Sequence, residues 1–462
     1  MVVCDKGIVI RGMINIWLAF LAITAILSFK RTVYGCCCLL VSRILIPECV
    51  RLTPIVDISL NTCVIALLIC FLMRDLLTKN KRFKDIIGNT YTKILLGFML
   101  AFLVVLPFSE TMDVEKQRGA WTQFLITDII PTIIFIACIK KKEDLIIVLK
   151  TLLVVSLVNC LYGCLTIIIG SNPYVFIINM IYSNRSSDLN TFDAMLGTRG
   201  GILTTSSTFQ HPNGWGYFLP ITFVLFFYLL DKQTIYFSKK ILWIVLLLLS
   251  VGVIICGKRS AYVAYMVFWI VYFFISSTKD KMRLMKYALF GFVLFILLIT
   301  ILPQLENIRG ILESSIYFWD DKRLTANEVG GSSWELRVRQ LFYPWVEVSH
   351  NIFLGHGFGW CATYLKEYAL HPILYGFETI FSTAVCEGGI FGTFMWTWLF
   401  VRSYKYSALH SKRKKWERLF SFTQIVIAIA TGFGYFIFYG IYITIISKFY
   451  LLDENISSNR NI

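Results

Sequence analysis

The stretch Ile241–Cys256 reads ILWIVLLLLSVGVIIC, 16 positions without a charge. It runs into Gly257-Lys258-Arg259-Ser260-Ala261 and then into a second apolar run, Tyr262–Ile275. Each run approaches the roughly 20 apolar residues that cross a hydrocarbon core as a helix. The pattern returns at Tyr287–Leu302 and along nearly all of the 462 residues, of which 57% are hydrophobic and 16% charged, with a mean hydropathy of +0.69. Such values exclude a soluble enzyme, a disordered hub and a secreted disulfide scaffold. Runs that are continuously apolar, not alternating in segments of about 10 residues, argue against an outer-membrane barrel. The expected fold class is all-α: a polytopic integral membrane protein of about 12 transmembrane helices, with a long outward-facing loop before the last of them.

A formal charge of +16 raises nucleic-acid binding, and its distribution answers the question. Five polar connections, 74–93, 140–150, 231–240, 279–286 and 402–418, hold 24 basic residues against 7 acidic. The connections that alternate with them, 110–118, 171–213, 257–259 and 303–375, hold 12 basic against 13 acidic. The first set is expected to face the cytoplasm and the second to face outward. This divides the chain into a helix bundle over 1–302 with an outward loop at 171–213, a large extracytoplasmic loop over 303–375, and C-terminal membrane helices over 376–462. No nucleic-acid partner is implied.

The ends read less simply. Ile14–Phe29, followed by Lys30 and Arg31, has no small-residue cleavage site behind it and reads as a retained anchor. Val33–Pro47 is short and carries Arg43, so it either spans thinly or folds back. Leu419–Leu452 contains Gly432, Gly434 and Gly440, consistent with two short helices joined near Gly440 or with one long helix. Nearly all of the 13 cysteines, including Cys36, Cys37 and Cys38, lie in apolar runs and read as lipid-buried small hydrophobes. Cys361 alone falls in the large outward loop, and no CxxC or Cys/His pair has metal-ligand spacing. Neither a metal site nor a structural disulfide is expected. The chain also lacks GxxxxGK[ST] and a strand-to-helix GxGxxG, so ATP coupling is unsupported.

Polar information concentrates in two outward connections of 43 and 73 residues, lengths that are usually functional. The first, 171–213, ends in Gly197-Thr198-Arg199-Gly200-Gly201, then Thr204 to Thr208, then Phe209-Gln210-His211-Pro212-Asn213-Gly214. That is a Gly-rich approach to a helix N-terminus, where backbone N–H groups favour anions and Arg199 adds a bidentate phosphate contact. His211 and Asn213 join it as substrate-binding candidates, the plainer alternative being that His211-Pro212-Asn213 caps the helix. Lys258 and Arg259 place adjacent cations in an outward turn, against the positive-inside bias. Either both snorkel to lipid phosphates, or Arg259 reaches a substrate pyrophosphate that its planar fork suits better than a lysine would.

The second loop, 303–375, reads as a folded cap with Trp319, Trp334, Trp345 and Trp360. Its Ser333-Trp334-Glu335-Leu336-Arg337-Val338-Arg339 segment leads through an amphipathic run into Asn351-Ile352-Phe353-Leu354-Gly355-His356-Gly357-Phe358-Gly359, a short helix followed by a Gly-rich turn. The next helix is expected to begin near Phe377-Glu378-Thr379 and carries Glu387-Gly388-Gly389-Ile390-Phe391-Gly392.

These residues resemble the O-antigen ligase and polymerase superfamily over most of the chain, closest to its Wzy-type polysaccharide polymerases. The likeness lies in the dozen spans, the Gly257-Lys258-Arg259-Ser260-Ala261 turn and the long late loop. It also lies in an Arg about 18 residues before a Gly-x-Gly-x-Gly turn, which is Arg337 with Arg339 as near alternative. Aligning the family's Glu-x-Gly-x-x-Gly on Glu387–Gly392 sets Glu378 where ligases carry a His, a departure that favours the polymerase branch. Glu387 stands nine residues beyond Glu378, about 180° around an ideal helix, and is not expected to share its site.

The resemblance implies metal-independent glycosyl transfer without cofactor, between polyprenyl-pyrophosphate-linked oligosaccharide donor and acceptor, on the outer face of a bacterial cytoplasmic membrane. Membrane lipids and a chain-length regulator are the further partners it admits. Arg259 and Arg337 would stabilise the leaving pyrophosphate, with Arg199 third, and Glu378 or His371 would accept the acceptor's proton. Arg339, His211 and Asn213 complete the expected substrate-binding set. The alternatives are ligation of a finished glycan to another acceptor, and a lipid-linked glycan flippase or transporter, although the sequence shows no internal repeat.

Overall fold

The computed structural model describes residues 6–47, 50–52, 58–78, 83–108, 112–174, 177–178, 196–199, 202–209, 212–232, 236–279, 281–282, 285, 334–368, 370–377, 379–409, 415–431 and 435–452. At Arg199, Arg259 and Arg337 only the backbone is described. The protein is a mostly helical, multi-pass membrane protein. Eight described helices are long and apolar enough to cross a bilayer: Gly12–Lys30, Leu60–Thr78, Thr90–Phe108, Val114–Cys138, Lys142–Ile169, Pro212–Asp231, Lys239–Cys256 and Ile380–Ser407. Thr32–Leu45, Ser260–Ile275 and Phe436–Ser447 are shorter apolar helices. By that criterion the described residues do not reach about 12 spans, and Tyr287–Leu302 lies outside them.

Local sequence accounts for the helix limits. Asn89 opens the Thr90–Val105 helix by accepting from Tyr91 N–H at 2.9 Å and Thr92 N–H at 3.4 Å, a cap contributing about 1 kcal/mol. Ile241–Cys256 forms the Lys239–Cys256 helix, which Gly257 ends at a left-handed φ of 66°. Lys258 is extended and Arg259 opens the next helix, so the turn is two residues long. The Pro212–Asp231 helix is the centre of the bundle, with 83% of its span buried against the Lys239–Cys256, Arg259–Ile275 and Lys415–Thr431 helices.

Helix ends sort onto two faces. On one, Arg31 pairs with Asp144, Thr32 donates to Asp75 at 2.7 Å, Lys142 sits 4.5 Å from the Tyr236 ring and Lys415 4.3 Å from the Tyr272 ring. Of these, the Lys142–Tyr236 contact joins two of the connections that the charge count groups as basic. The opposite face gathers the ends at Ile44, Pro212, Gly257, Thr379 and Tyr435.

Three expectations change. Cys36, Cys37 and Cys38 are buried within protein, not in lipid, because the Thr32–Leu45 helix is enclosed by the first, third and Lys142–Ile169 helices. At 1.5 Å per residue its 14 residues rise about 21 Å, less than the hydrocarbon core. At the C-terminus two helices are present, Lys415–Thr431 and Phe436–Ser447, but Gly440 lies within the second instead of joining them. There its missing side chain lets Thr132 approach, since a Cβ would fall 2.2 Å from Thr132 Oγ1.

The third concerns charge inside the membrane, which hydropathy did not flag. Buried Arg43 donates to the Thr127 carbonyl at 2.9 Å, in a π-turn over Leu125–Ile129. In the same turn Asp128 Oδ1 accepts from Ile437 N–H at 2.9 Å and so caps the inner end of the Phe436–Ser447 helix. A π-turn releases backbone groups from the regular ladder, and here a side chain from another helix takes one up.

Candidate functional site

Two groups of residues sit on the face opposite the basic one. The first is built around Thr204–Thr208. Leu196–Arg199 and Ile202–Thr205 form an antiparallel hairpin, and the chain after it enters the bundle. Thr205, Ser206, Ser207 and Thr208 are buried, so the end of the 171–213 connection folds into the bundle. The reason is satisfaction of their polar groups. Thr208 Oγ1 accepts from Asn159 Nδ2 at 2.7 Å and donates to the Ile44 carbonyl at 2.5 Å, while Ser207 Oγ donates to the Asn159 carbonyl at 2.6 Å. Asn172 Nδ2 donates to the Ser207 carbonyl at 3.0 Å, and Trp215 Nε1 to Asn159 Oδ1 at 2.5 Å. Each such bond contributes about 1 kcal/mol net, and each is costlier to leave unmade in a buried setting.

This plug packs against the Gly257 turn. Thr204 packs so close to Gly257 that a Cβ there would lie 2.2 Å from Thr204 Cγ2, and Gly216 faces the Lys258 Cβ at 3.4 Å. Cys256 Sγ donates to the Pro212 carbonyl at 3.3 Å. The second hairpin strand, through Thr204, and the first turn of the Pro212–Asp231 helix, with half-buried Asn213, thus both meet the turn that enters Arg259. The side chains of Arg199 and Arg259 lie outside the described set, and His211 lies outside the described residues.

The second group is the late segment. Trp334–Glu347 is a helix, as the sequence predicts, followed by a 3-10 turn at Ser349–Asn351, the Gly-rich turn and the Trp360–Tyr368 helix. The following Ile380–Ser407 helix is capped by Thr379, whose Oγ1 accepts from Ser382 N–H at 2.9 Å. It is broken at Gly389, with φ 56° and ψ −139°. The break exposes backbone groups that the Gly-rich turn takes up. His356 N–H donates to Cys386 O at 2.8 Å and Gly357 N–H to Glu387 O at 3.2 Å; Ile390 N–H donates to Ile352 O at 3.0 Å and Phe391 N–H to Phe353 O at 3.1 Å. The Glu387 carboxyl meets the N–H groups of Gly359 and Cys361, at the start of the Trp360–Tyr368 helix. The two glycine motifs singled out in the sequence are therefore one interlocked element.

Above this interlock Glu347 is flanked by two histidines. Its Oε2 lies 3.5 Å from His371 Nε2 and its Oε1 3.7 Å from His356 Nε2. His371 Nδ1 accepts from Ile373 N–H at 3.2 Å and Leu374 N–H at 2.9 Å. That network assigns the ring proton to Nε2, facing Glu347. His371 consequently has no free lone pair for a substrate proton, which corrects its expected role as base. Its Nε2 faces Glu347 at 3.5 Å. Tyr343, Trp360 and Tyr364 surround the pair, with His356 stacked on Trp360 at 4.2 Å and 24°. The backbone here is strained: Tyr375 and Phe377 hold φ of 53° and 49°, left-handed values costing about 1 kcal/mol each.

Arg339 is exposed on the Trp334–Glu347 helix, and the backbone of Arg337 lies one half-turn earlier. Glu378 lies outside the described residues. Cys361 is buried, 5% exposed, and so cannot serve as the native outward-facing label its loop position suggested. The two groups are joined by aromatic contacts: Phe358 to Phe124 at 5.9 Å, Phe124 to Phe436 at 5.3 Å, and then Tyr435, which packs on Gly214. Glu347, His350 and His356 were missed as site residues. A signal was present, since three of the chain's five histidines fall within 350–371, just after Glu347.

Burial and the neighbouring His350 push the His356 imidazole down to about 4, although a hydrogen bond with the Glu347 backbone opposes the shift. Because the folded value lies below the ordinary 6.5, the neutral ring supports the fold fully above pH 6.5. That support, on the order of 3 kcal/mol, is lost as the pH falls from 6.5 through 4. Trp360 fluorescence, read as the difference between wild type and Trp360→Phe, is expected to fall with a midpoint near pH 4, and His356→Phe to remove the transition. A midpoint at 6.5 would refute the burial.

No protein-family model and no curated protein matches the chain.

Proposed function

We propose that the protein is a glycosyltransferase that joins polyprenyl-pyrophosphate-linked oligosaccharide units into a surface polysaccharide, O-antigen or capsule, at the outer face of the bacterial cytoplasmic membrane. One observation carries the reading. The late segment presents, on the less basic face, an arginine-bearing helix that ends in a carboxylate flanked by two histidines and walled by aromatic rings. Aromatic rings suit the apolar faces of almost any sugar, and a carboxylate suits an acceptor hydroxyl.

In this reading the acceptor hydroxyl donates its proton to Glu347 as its oxygen attacks the anomeric carbon of the donor. The bond from that carbon to the pyrophosphate oxygen breaks, and the pyrophosphate leaves with the electron pair on its polyprenyl carrier. Arg259 and Arg337 stabilise the developing charge, with Arg199 supporting. Glu347 replaces His371 in the base role because of the tautomer argument, and Glu378 stays as the competing carboxylate.

A second reading, a lipid-linked glycan transporter, is favoured by Arg43, the π-turn with Asp128 and the half-helix starting at Phe436, since charge at broken helices inside the membrane marks transport pathways. Product analysis in membranes given lipid-linked units separates the readings. Longer glycans support the polymerase, transfer to a new acceptor a ligase, and translocation without a new glycosidic bond the transporter. Arg259→Lys and Arg337→Lys are each expected to lower chain yield about tenfold or more, because the charge remains while the bidentate fork is lost. Wild-type yield from both at normal protein levels would end the pyrophosphate assignment.

The proposed sidedness is tested with an impermeant thiol reagent on intact cells. Ser349→Cys, in the exposed 3-10 turn, is expected to react and Ser411→Cys, in the basic connection 402–418, is not. The reverse pattern would invert the orientation.

A further inference from the structure

On the basic face, far from the late segment, the Thr90–Val105 and Ile380–Ser407 helices enclose a cavity of about 410 Å³. Lys93, Arg402 and Lys405 line it together with Trp398. A second cavity of about 340 Å³ shares Trp398, Arg402 and Lys405 and continues along Phe394, Thr397 and Val401. The two form one groove, cationic at the helix ends and apolar toward the middle of the span. The sequence explains the shape: Phe394, Trp398, Val401 and Lys405 follow one another at spacings of three and four, so they form a single stripe on the helix.

Three features point to an anionic lipid. First, the cations have no partner of opposite charge: among the described residues none of Lys93, Arg402 and Lys405 is in an ion pair. Second, Lys93 stands in the first turn of its helix, where a positive charge opposes the dipole, so an anion beside it is favoured. Third, the remainder of the groove is apolar and open, with Phe394 63% and Val401 45% exposed, as expected of a surface that lipid chains cover. The Arg402 guanidinium lies 5.9 Å from the Trp398 ring and is held over it by cation–π attraction, at the boundary between the two halves. A free anion would have no use for the apolar half, and a neutral lipid none for the three cations.

We propose that this groove binds one anionic phospholipid of the surrounding membrane, its headgroup phosphate among Lys93, Arg402 and Lys405 and an acyl chain along Trp398 and Phe394. Basic pockets between membrane helices on the cytoplasmic side are suited to anionic headgroups. The site is separate from the glycan-joining reading and does not depend on it.

The test is native mass spectrometry of the full-length protein, purified in detergent and offered phosphatidylglycerol or phosphatidylcholine. One phosphatidylglycerol is expected to be retained at least tenfold more tightly than phosphatidylcholine. The variant Lys93→Gln/Arg402→Gln/Lys405→Gln is expected to lose that preference, whereas Lys239→Gln/Lys240→Gln, elsewhere on the same face, is expected to keep it. Equal retention of the two lipids, or an unchanged preference in the triple variant, would overturn the proposal. Phosphatidylglycerol with brominated chains gives a second readout in the unmodified protein: it should quench the fluorescence that wild type has and Trp398→Phe lacks. Absence of that quenching would remove the acyl-chain assignment, and displacement of the lipid by millimolar inorganic phosphate would make the groove a free-anion site.

Discussion

Glu347→Gln is expected to lower glycan joining by about 10²–10⁴-fold while leaving the protein at wild-type levels in the membrane. The amide keeps the shape of the carboxylate beside His371 Nε2, 3.5 Å away, so the aromatic walls and the turn above the helix break have no reason to move. What it loses is the ability to accept a proton. His371→Ala is expected to cost less, because it removes a neighbour of Glu347 and leaves the carboxylate itself. Glu378→Gln is the necessary comparison, and it is expected to polymerise normally. If Glu378→Gln abolishes chains while Glu347→Gln makes them at the wild-type rate, the base is Glu378 and the His371–Glu347 pair is a device of loop folding only.

What the sequence made legible, and what it hid, follows from the range of the interactions involved. Ile241–Cys256 declares a membrane helix because apolar burial is additive along a contiguous run. The basic connections declare their face because each count is local. Arg43 stood out only as an oddity of a short run and Asp128 not at all, because what makes them tolerable in a membrane lies elsewhere in the chain: Arg43 is met by a carbonyl 84 residues away and Asp128 by a helix end 309 residues away. Thr204–Thr208 looked outward for the same reason. A run of hydroxyls reads as solvated until Asn159 and Asn172, themselves set in apolar or loop context, supply partners inside the bundle. The site residues divide similarly. The two glycine motifs were visible as punctuation, but that they dock on each other depends on pairing across 30 to 38 residues. Glu347 carried no motif, and only the reverse turn closed by His371 and Tyr375 brings its partner to it.

Gly389→Ala is expected to be the most damaging single substitution in the late segment, reducing folded protein in the membrane to a small fraction of wild type. Two independent costs meet at this residue. Its φ of 56° with ψ −139° lies in a region that is nearly closed to side chains, a strain of order 1–3 kcal/mol. In addition, a Cβ would fall 2.3 Å from Ile352 O and 2.8 Å from Phe353 C, backbone atoms that cannot rotate away. Relieving that clash withdraws the turn and breaks the bonds from Ile390 N–H to Ile352 O and from Phe391 N–H to Phe353 O. Gly355→Ala approaches the same contact from the other side, 2.6 Å from Cys386 O at a φ of 63°, and is expected to behave alike. Gly119→Ala is the control, since a Cβ there meets nothing within 4 Å and alanine favours a helix. Trypsin supplies the readout besides abundance: with the turn undocked, cleavage after Arg337, Arg339 or Lys366 should accelerate in purified protein, while Gly119→Ala stays as resistant as wild type. If Gly389→Ala accumulates normally and resists trypsin, the interlock does not hold the late segment in place, and the position of Glu347 would need another explanation.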